Sequence, residues 1–221
     1  MSEVLIIAAH PDDEVLGCGG AIAKHFAMGD TVNVVFLTDG ESARENHNSS
    51  DIKYRREAAL AALDILGVNG EIRFLNFPDN ALDSVRLLDI VVALEDIILS
   101  FNTSIVYTHS SVDLNIDHQL VNRAVMTCFR PIRKKNPLAI YAFEIASSTE
   151  WAINNQFRPT HFVDIVDFLT AKTDAMLAYN SEMRTSPHPR SLDYIKSLAI
   201  VRGAQGGFLY AESFETLRTI G

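Results

Sequence analysis

Residues 5–20, LIIAAHPDDEVLGCGG, carry the reading on which the fold turns. From Val4 to Ala9 the chain is apolar at every position, and a run without polar alternation marks a strand covered on both faces. Past the acids, Leu16–Met28 has helical spacing and opens among glycines. The strand-then-helix order repeats downstream. Thr31–Leu37, Ile72–Leu75, Ser104–Tyr107 and Leu138–Phe143 read as strands. Tyr54–Leu66, with Gly67 as its stop, Leu82–Leu99 and Gln119–Phe129 read as the helices between them. Such alternation predicts an α/β protein with a Rossmann-like, mostly parallel sheet and helices on both faces. Beyond Phe143 the pattern loosens into a strand at His161–Ile165 and helices at Phe168–Tyr179 and Ser191–Val201, an α/β C-terminal extension. One domain over residues 1–221 is expected, with a core of about 1–145 and an extension of about 146–221.

The 221 residues carry 19 basic and 28 acidic side chains, a formal charge of −9. A general nucleic-acid binder needs a basic footprint for phosphates, so that class is set aside, while a small substrate is not. The two cysteines, Cys18 and Cys128, are too few for a disulfide framework and suit a reducing compartment. No basic leader precedes Asp12, and no apolar run approaches the roughly 20 residues of a membrane span. A cytoplasmic protein is the expectation.

Asp12, Asp13 and Glu14 are adjacent carboxylates whose mutual repulsion opposes folding. One acid would suit a helix N-terminus; three beside a His-Pro do not. In open parallel sheets, ligands collect outside the carboxyl ends of the strands. His10–Glu14 leaves the first strand at that edge, and Thr108–His118 (THSSVDLNIDH) leaves the fourth. A catalytic zinc ion takes three ligands from His, Asp, Glu or Cys and keeps a position for water, whose pKa it lowers to roughly 7. His10 and Asp13 fit such an ion, with His118 as third ligand and His109 as the competitor for that place. Asp12, held by Pro11, is the acid left beside the water as general base. Glu14 reads as an orienting or capping group, and Asp113 and Asp117 as groups that orient their neighbours from behind. The competing reading of Asp117-His118 is a helix start with Asp117 as N-cap. The glycines of GCGG invite a phosphate-loop reading, but G-x-G-x-x-G needs a glycine where Ile22 stands, so close strand–helix packing explains them better.

The motifs AHPDDE, LGCGG, LTDGE and D-x-N-x-DH, in that order over roughly residues 4–145, resemble the zinc-dependent N-deacetylases of the PIG-L or LmbE-like family. The resemblance implies Zn2+ held by His10, Asp13 and His118, Asp12 as general base, and Arg55 as a substrate-binding arginine. It implies removal of an N-acetyl group from an amino sugar or its conjugate. A zinc amidase or deformylase on another N-acyl substrate is the near alternative, and a metal-free nucleotide-binding module the distant one. The chain departs from the pattern at Asn115, where many members carry a histidine that helps stabilise or protonate the transition state. Asparagine donates a hydrogen bond but delivers no proton at neutral pH. Either Asp12 both takes and returns the proton, or the acid comes from elsewhere. SPHPRS offers His188, set between prolines, with Arg190 in reach of a sugar or anionic ligand. A proline-braced segment also fits an intersubunit element, which leaves a homo-oligomer open.

Overall fold

In the computed structural model, which describes residues 1–45, 48–131, 136–153 and 156–221, β1 (Glu3–Ala8) runs inside a seven-stranded sheet. Residues along it alternate between two cores. Val4, Ile6 and Ala8 face one, Leu5, Ile7 and Ala9 the other, and all six are fully buried. Burial on both faces is why the run shows no polar alternation.

β2 (Thr31–Thr38), β3 (Ile72–Phe77), β4 (Ile105–His109) and β5 (Ala139–Phe143) complete a parallel array in the order β3-β2-β1-β4-β5. α1 (Asp13–Ala27) and α2 (Ser49–Ile65) pack on one face, α3 (Leu87–Ile98) and α4 (Ile116–Cys128) on the other. The strand order therefore reverses between β1 and β4, where crossovers to opposite faces leave a crevice beyond the strand ends.

The C-terminal third enters the same sheet. β6 (His161–Asp164) and β7 (Ala211–Thr219) extend it in the order β5-β7-β6, both pairings antiparallel. β7 has no counterpart in the sequence reading because Glu212, Ser213 and Glu215 break its apolar pattern, yet Glu212 and Ser213 are buried. α5 (Leu169–Ala178) and α6 (Leu192–Gly206) pack on the α1 face. The fold is a mostly parallel α/β sheet with an antiparallel edge. Among the described residues, no helix is long and apolar enough to cross a membrane.

Several helix boundaries depart from the sequence reading, each for a local reason. α2 starts at Ser49, ahead of Tyr54, because Asn48 and Asp51 form a capping box. α4 starts at Ile116 with Asn115, not Asp117, as its N-cap: Asn115 Oδ1 accepts the Asp117 N–H at 2.8 Å. The helix expected over Leu82–Leu99 is divided, with a 3-10 turn at Leu82–Ser84 parted from α3 by extended Val85 and Arg86. Leu82 N–H is taken by the Asp117 carboxylate at 3.0 Å.

The glycines of α1 set how closely it lies on its neighbours. A Cβ at Gly17 would fall 2.4 Å from the buried Phe143 ring, and one at Gly20 2.7 Å from Ile165. Gly17→Ala is expected to destabilise the fold by about 1–3 kcal/mol, the usual result of overpacking a dense core. Urea unfolding measures it, and an unchanged midpoint contradicts the packing account.

Candidate metal centre

His10 and Asp13 leave β1 at the turn into α1, and His118 stands in the first turn of α4. The switch point brings them together. His10 Nδ1 lies 3.0 Å from Asp13 Oδ2 and 3.2 Å from His118 Nε2, and the last two atoms are 3.3 Å apart. A tetrahedral ion with bonds of about 2.0–2.1 Å has edges of about 3.3–3.4 Å between its ligand atoms. The triangle formed by these three atoms is close to one face of that tetrahedron. A second observation agrees: Asp13 Oδ1 is buried without a hydrogen-bond partner, which is costly unless a cation answers it.

Carboxylates stand behind the two imidazoles. His10 Nε2 lies 3.2 Å from both Asp117 Oδ2 and Asp79 Oδ1, and His118 Nδ1 lies 3.0 Å from Asp113 Oδ1. With an ion bound, such partners would keep the remaining proton on the outer ring nitrogen and leave the inner one as a lone pair for the metal. Asp113 is itself held by the hydroxyls of Ser148 and Thr149. His10, Asp79 and Asp117 form a second group with metal-ligand spacing. Asp117 already accepts from Leu82 N–H and faces His10, so that group reads as support for the first.

The electrostatics ask for positive charge. Burial alone would lower His10, but the Asp13 charge and the Asp117 hydrogen bond outweigh it and push its pKa up to about 10. His118 is pushed up to about 9 against burial by Asp13 and Asp113. Burial opposes ionisation of Asp13, yet the charges of His118, His109 and His10 hold it well below the usual carboxylate range. His109, the rival third ligand, is placed differently. Its Nε2 accepts the Ala9 N–H at 2.8 Å and stands 3.4 Å from Asp13, and burial with His118 beside it holds its pKa well below normal. The geometry favours His118 for the third position and leaves His109 stacked against it at 4.0 Å.

Asp12 projects beside this triangle from a backbone at φ 131, ψ −26. Such a conformation costs a non-glycine residue on the order of 1–3 kcal/mol, so its surroundings must hold it there. Glu14 Oε2 accepts the Asp12 N–H at 3.0 Å, and Glu14 Oε1 accepts from Tyr179 Oη at 2.5 Å. Arg55 donates to Pro11 O at 3.2 Å, and Gly40, at φ 71, lets β2's exit pass so close that a Cβ would meet Pro11 at 3.0 Å. Burial raises the pKa of Asp12, against the pull of Arg190 at 3.0 Å and Arg55 at 3.6 Å.

His10, Asp12, Asp79 and His118 line a pocket of about 370 Å³, with Asp13 buried behind them. Asn115 lines it, with Nδ2 donating to Asn80 Oδ1 at 3.0 Å. Arg190 lines it too, pairing with Asp12 and with Glu182 at 2.7 Å. Arg55 reaches the pocket wall but is only 3% exposed, with donors committed to Glu41 at 2.9 Å, Glu182 at 2.6 Å and the Pro11 carbonyl. That makes it a brace for the acidic turn rather than a cation held ready for substrate. His188 is not brought into the pocket lining. Its Nδ1 accepts the Arg190 N–H at 3.0 Å and its ring meets Trp151 edge-on at 6.2 Å. Sequence reasoning missed Glu182, Glu41, Asp79 and Tyr179. Only Glu41 stood in a quoted motif, LTDGE, and an ion-pair partner across the fold leaves no local signature.

Fold and site together define an α/β protein with a candidate divalent-metal centre at its switch point. Residues 5–129 match the family described as PIG-L: GlcNAc-PI de-N-acetylase, and the chain belongs to that family. It is 33% identical over 184 residues to the uncharacterized deacetylase YaiS of Escherichia coli (strain K12), covering 80% of this chain and 90% of that protein. The diacetylchitobiose deacetylase of Thermococcus kodakarensis is 28% identical, with 96% of this chain and 82% of that protein covered. The solved structure of GalB, the 4-carboxy-2-hydroxymuconate hydratase from Pseudomonas putida KT2440, superposes with a TM-score of 0.79 at 25% identity, covering 100% and 98% of the two chains.

Proposed function

We propose that this protein is a zinc-dependent hydrolase that removes an N-acetyl group from an amino sugar or an amino-sugar conjugate. The observation that carries the reading is the His10–Asp13–His118 triangle with Asp12 beside it in one pocket. Zinc bound by those three residues supplies a Lewis acid and an acidified water. Asp12 takes a proton from the water oxygen as that oxygen bonds to the acetamide carbon. When the C–N bond breaks, Asp12 returns the proton to the departing nitrogen, leaving acetate and a free amine. Burial, which raises Asp12, suits it to both transfers.

The absent family histidine favours this double role. Asn115 offers an amide N–H and Arg190 a guanidinium, both suited to hold an acyl or sugar oxygen, but neither delivers a proton at neutral pH. The remaining imidazoles of the pocket, His10 and His118, are the proposed ligands. His188 stays outside as a neighbour of Arg190.

The test is product analysis of the zinc-loaded protein on a panel of N-acetylglucosamine derivatives. Stoichiometric acetate and free amine are expected. Formate from N-formyl analogues alone points to a deformylase instead. A second reading has one observation behind it, the hydratase GalB with its full-length superposition. A hydratase adds water across a carbon–carbon double bond, so unsaturated carboxylates would gain the mass of water and no acetate would appear.

A further inference from the structure

α1 is broken at Cys18, which sits at φ −146, ψ 24. In a regular helix the Gly20 N–H would donate to the Leu16 carbonyl, four residues back. Here both groups have other partners. Lys172 Nζ, from α5, donates to Leu16 O at 2.8 Å. Glu212, from β7, accepts the Gly20 N–H at 2.9 Å and the Ala21 N–H at 2.7 Å. Lys172 and Glu212 bind each other at 2.6 Å, and each is 5% exposed. An ion pair is thus inserted into the helix between Leu16 O and the Gly20 and Ala21 N–H groups, and each charge answers backbone groups that the break sets free. The glycines make this possible, since a Cβ at Gly19 would stand 3.3 Å from Lys172 Cγ.

We propose that Lys172 and Glu212 are positioning residues that set the angle of the first turn of α1, and so bring Asp13 to His10 and His118. The inference rests on the metal-centre reading and adds to it the device that aims one ligand. Stability alone is a poor account of the pair. A buried ion pair can often be exchanged for apolar residues without loss. An unbroken helix would carry the His10–Asp13 turn in a different direction relative to α4, where His118 Nε2 lies 3.3 Å from Asp13 Oδ2. Lys172 and Glu212 belong to the C-terminal third, so that part of the chain aims a ligand carried by the first βα turn.

Zinc affinity, measured by competition with a chromogenic chelator, tests the proposal alongside the melting temperature of the metal-free protein. Lys172→Met and Glu212→Gln are expected to weaken zinc binding by about tenfold or more, as removal of outer-shell support does elsewhere. Lys172→Arg, which can still donate to both Leu16 O and Glu212, restores most of the affinity. Leu94→Ala opens a cavity in the opposite core and serves as the control, losing stability while keeping zinc affinity. Wild-type zinc affinity in both Lys172→Met and Glu212→Gln overturns the proposal, as does an equal loss in Leu94→Ala. Should Lys172→Met fail to fold, Glu212→Gln, which keeps the side-chain volume and one acceptor, decides alone. A wild-type protein that takes up no zinc overturns the metal centre and this inference together.

Discussion

Asp12→Asn is expected to lower kcat for acetate release about a thousandfold, within the range that general acid–base groups contribute. Bound zinc should stay at the wild-type level, because Asp12 is not one of the three triangle residues. The substitution keeps the side-chain size and removes both the negative charge and the ability to hold a proton. Asparagine has the same branching and nearly the same volume as aspartate, so it meets the φ 131 backbone on the same steric terms. Arg190 at 3.0 Å can still donate to the amide oxygen, which keeps the pocket wall in place. In the wild type the pH profile carries the same information. Asp12 acts as a base only when ionised, so at saturating zinc activity should fall on acidification through its titration. That acidic limb should vanish from the residual activity of Asp12→Asn. A variant retaining kcat within about tenfold of wild type would assign the proton transfer to another group.

The parts of the fold that could be read from sequence are those built by local pattern. β1 declares itself through six consecutive apolar residues, because each face of it meets a core. The acidic turn after it is legible for the opposite reason, since charge repulsion without an evident local partner demands an explanation. What escaped was set by contacts between distant segments. β7 carries Glu212 and Glu215 at positions where a strand rule expects alternation, and Glu212 is buried against Lys172 and the Gly20 and Ala21 N–H groups. The start of α2 hid in a polar stretch, where Asn48 and Asp51 look like loop residues until their caps are formed. Between His188 and Arg190, two residues apart, the prolines gave no way to know which faces inward. The structure turns Arg190 to Asp12 and His188 to Trp151. Arg55 reads from sequence as a substrate contact, but Glu41, Glu182 and the Pro11 carbonyl take its donors, and Glu182 lies in a segment with no strong pattern.

Zinc uptake by the metal-free protein should release protons, and its apparent affinity should climb steeply with pH up to about 9. The reason is the charge already in the triangle. His10 is pushed up to about 10 and His118 to about 9, so at neutral pH each holds a proton that a metal ion must displace. Each displaced proton adds about tenfold in affinity per pH unit, so two give about a hundredfold per unit between pH 7 and the lower of the two values. Calorimetry in buffers of different ionisation enthalpy counts the protons, and chelator competition across pH gives the slope. The same shifts fix the sign for stability. Both folded-state values lie above the ordinary histidine value, so their contribution is complete below about pH 6.5 and is lost as pH rises through about 9 and then 10. The melting temperature of the chelated protein should therefore fall through that window. The zinc-loaded protein, whose ligands are already deprotonated, should show no such fall, so the stabilisation conferred by zinc widens as the solution becomes alkaline. Flat zinc affinity across pH with no proton release would mean that His10 and His118 do not share one ion.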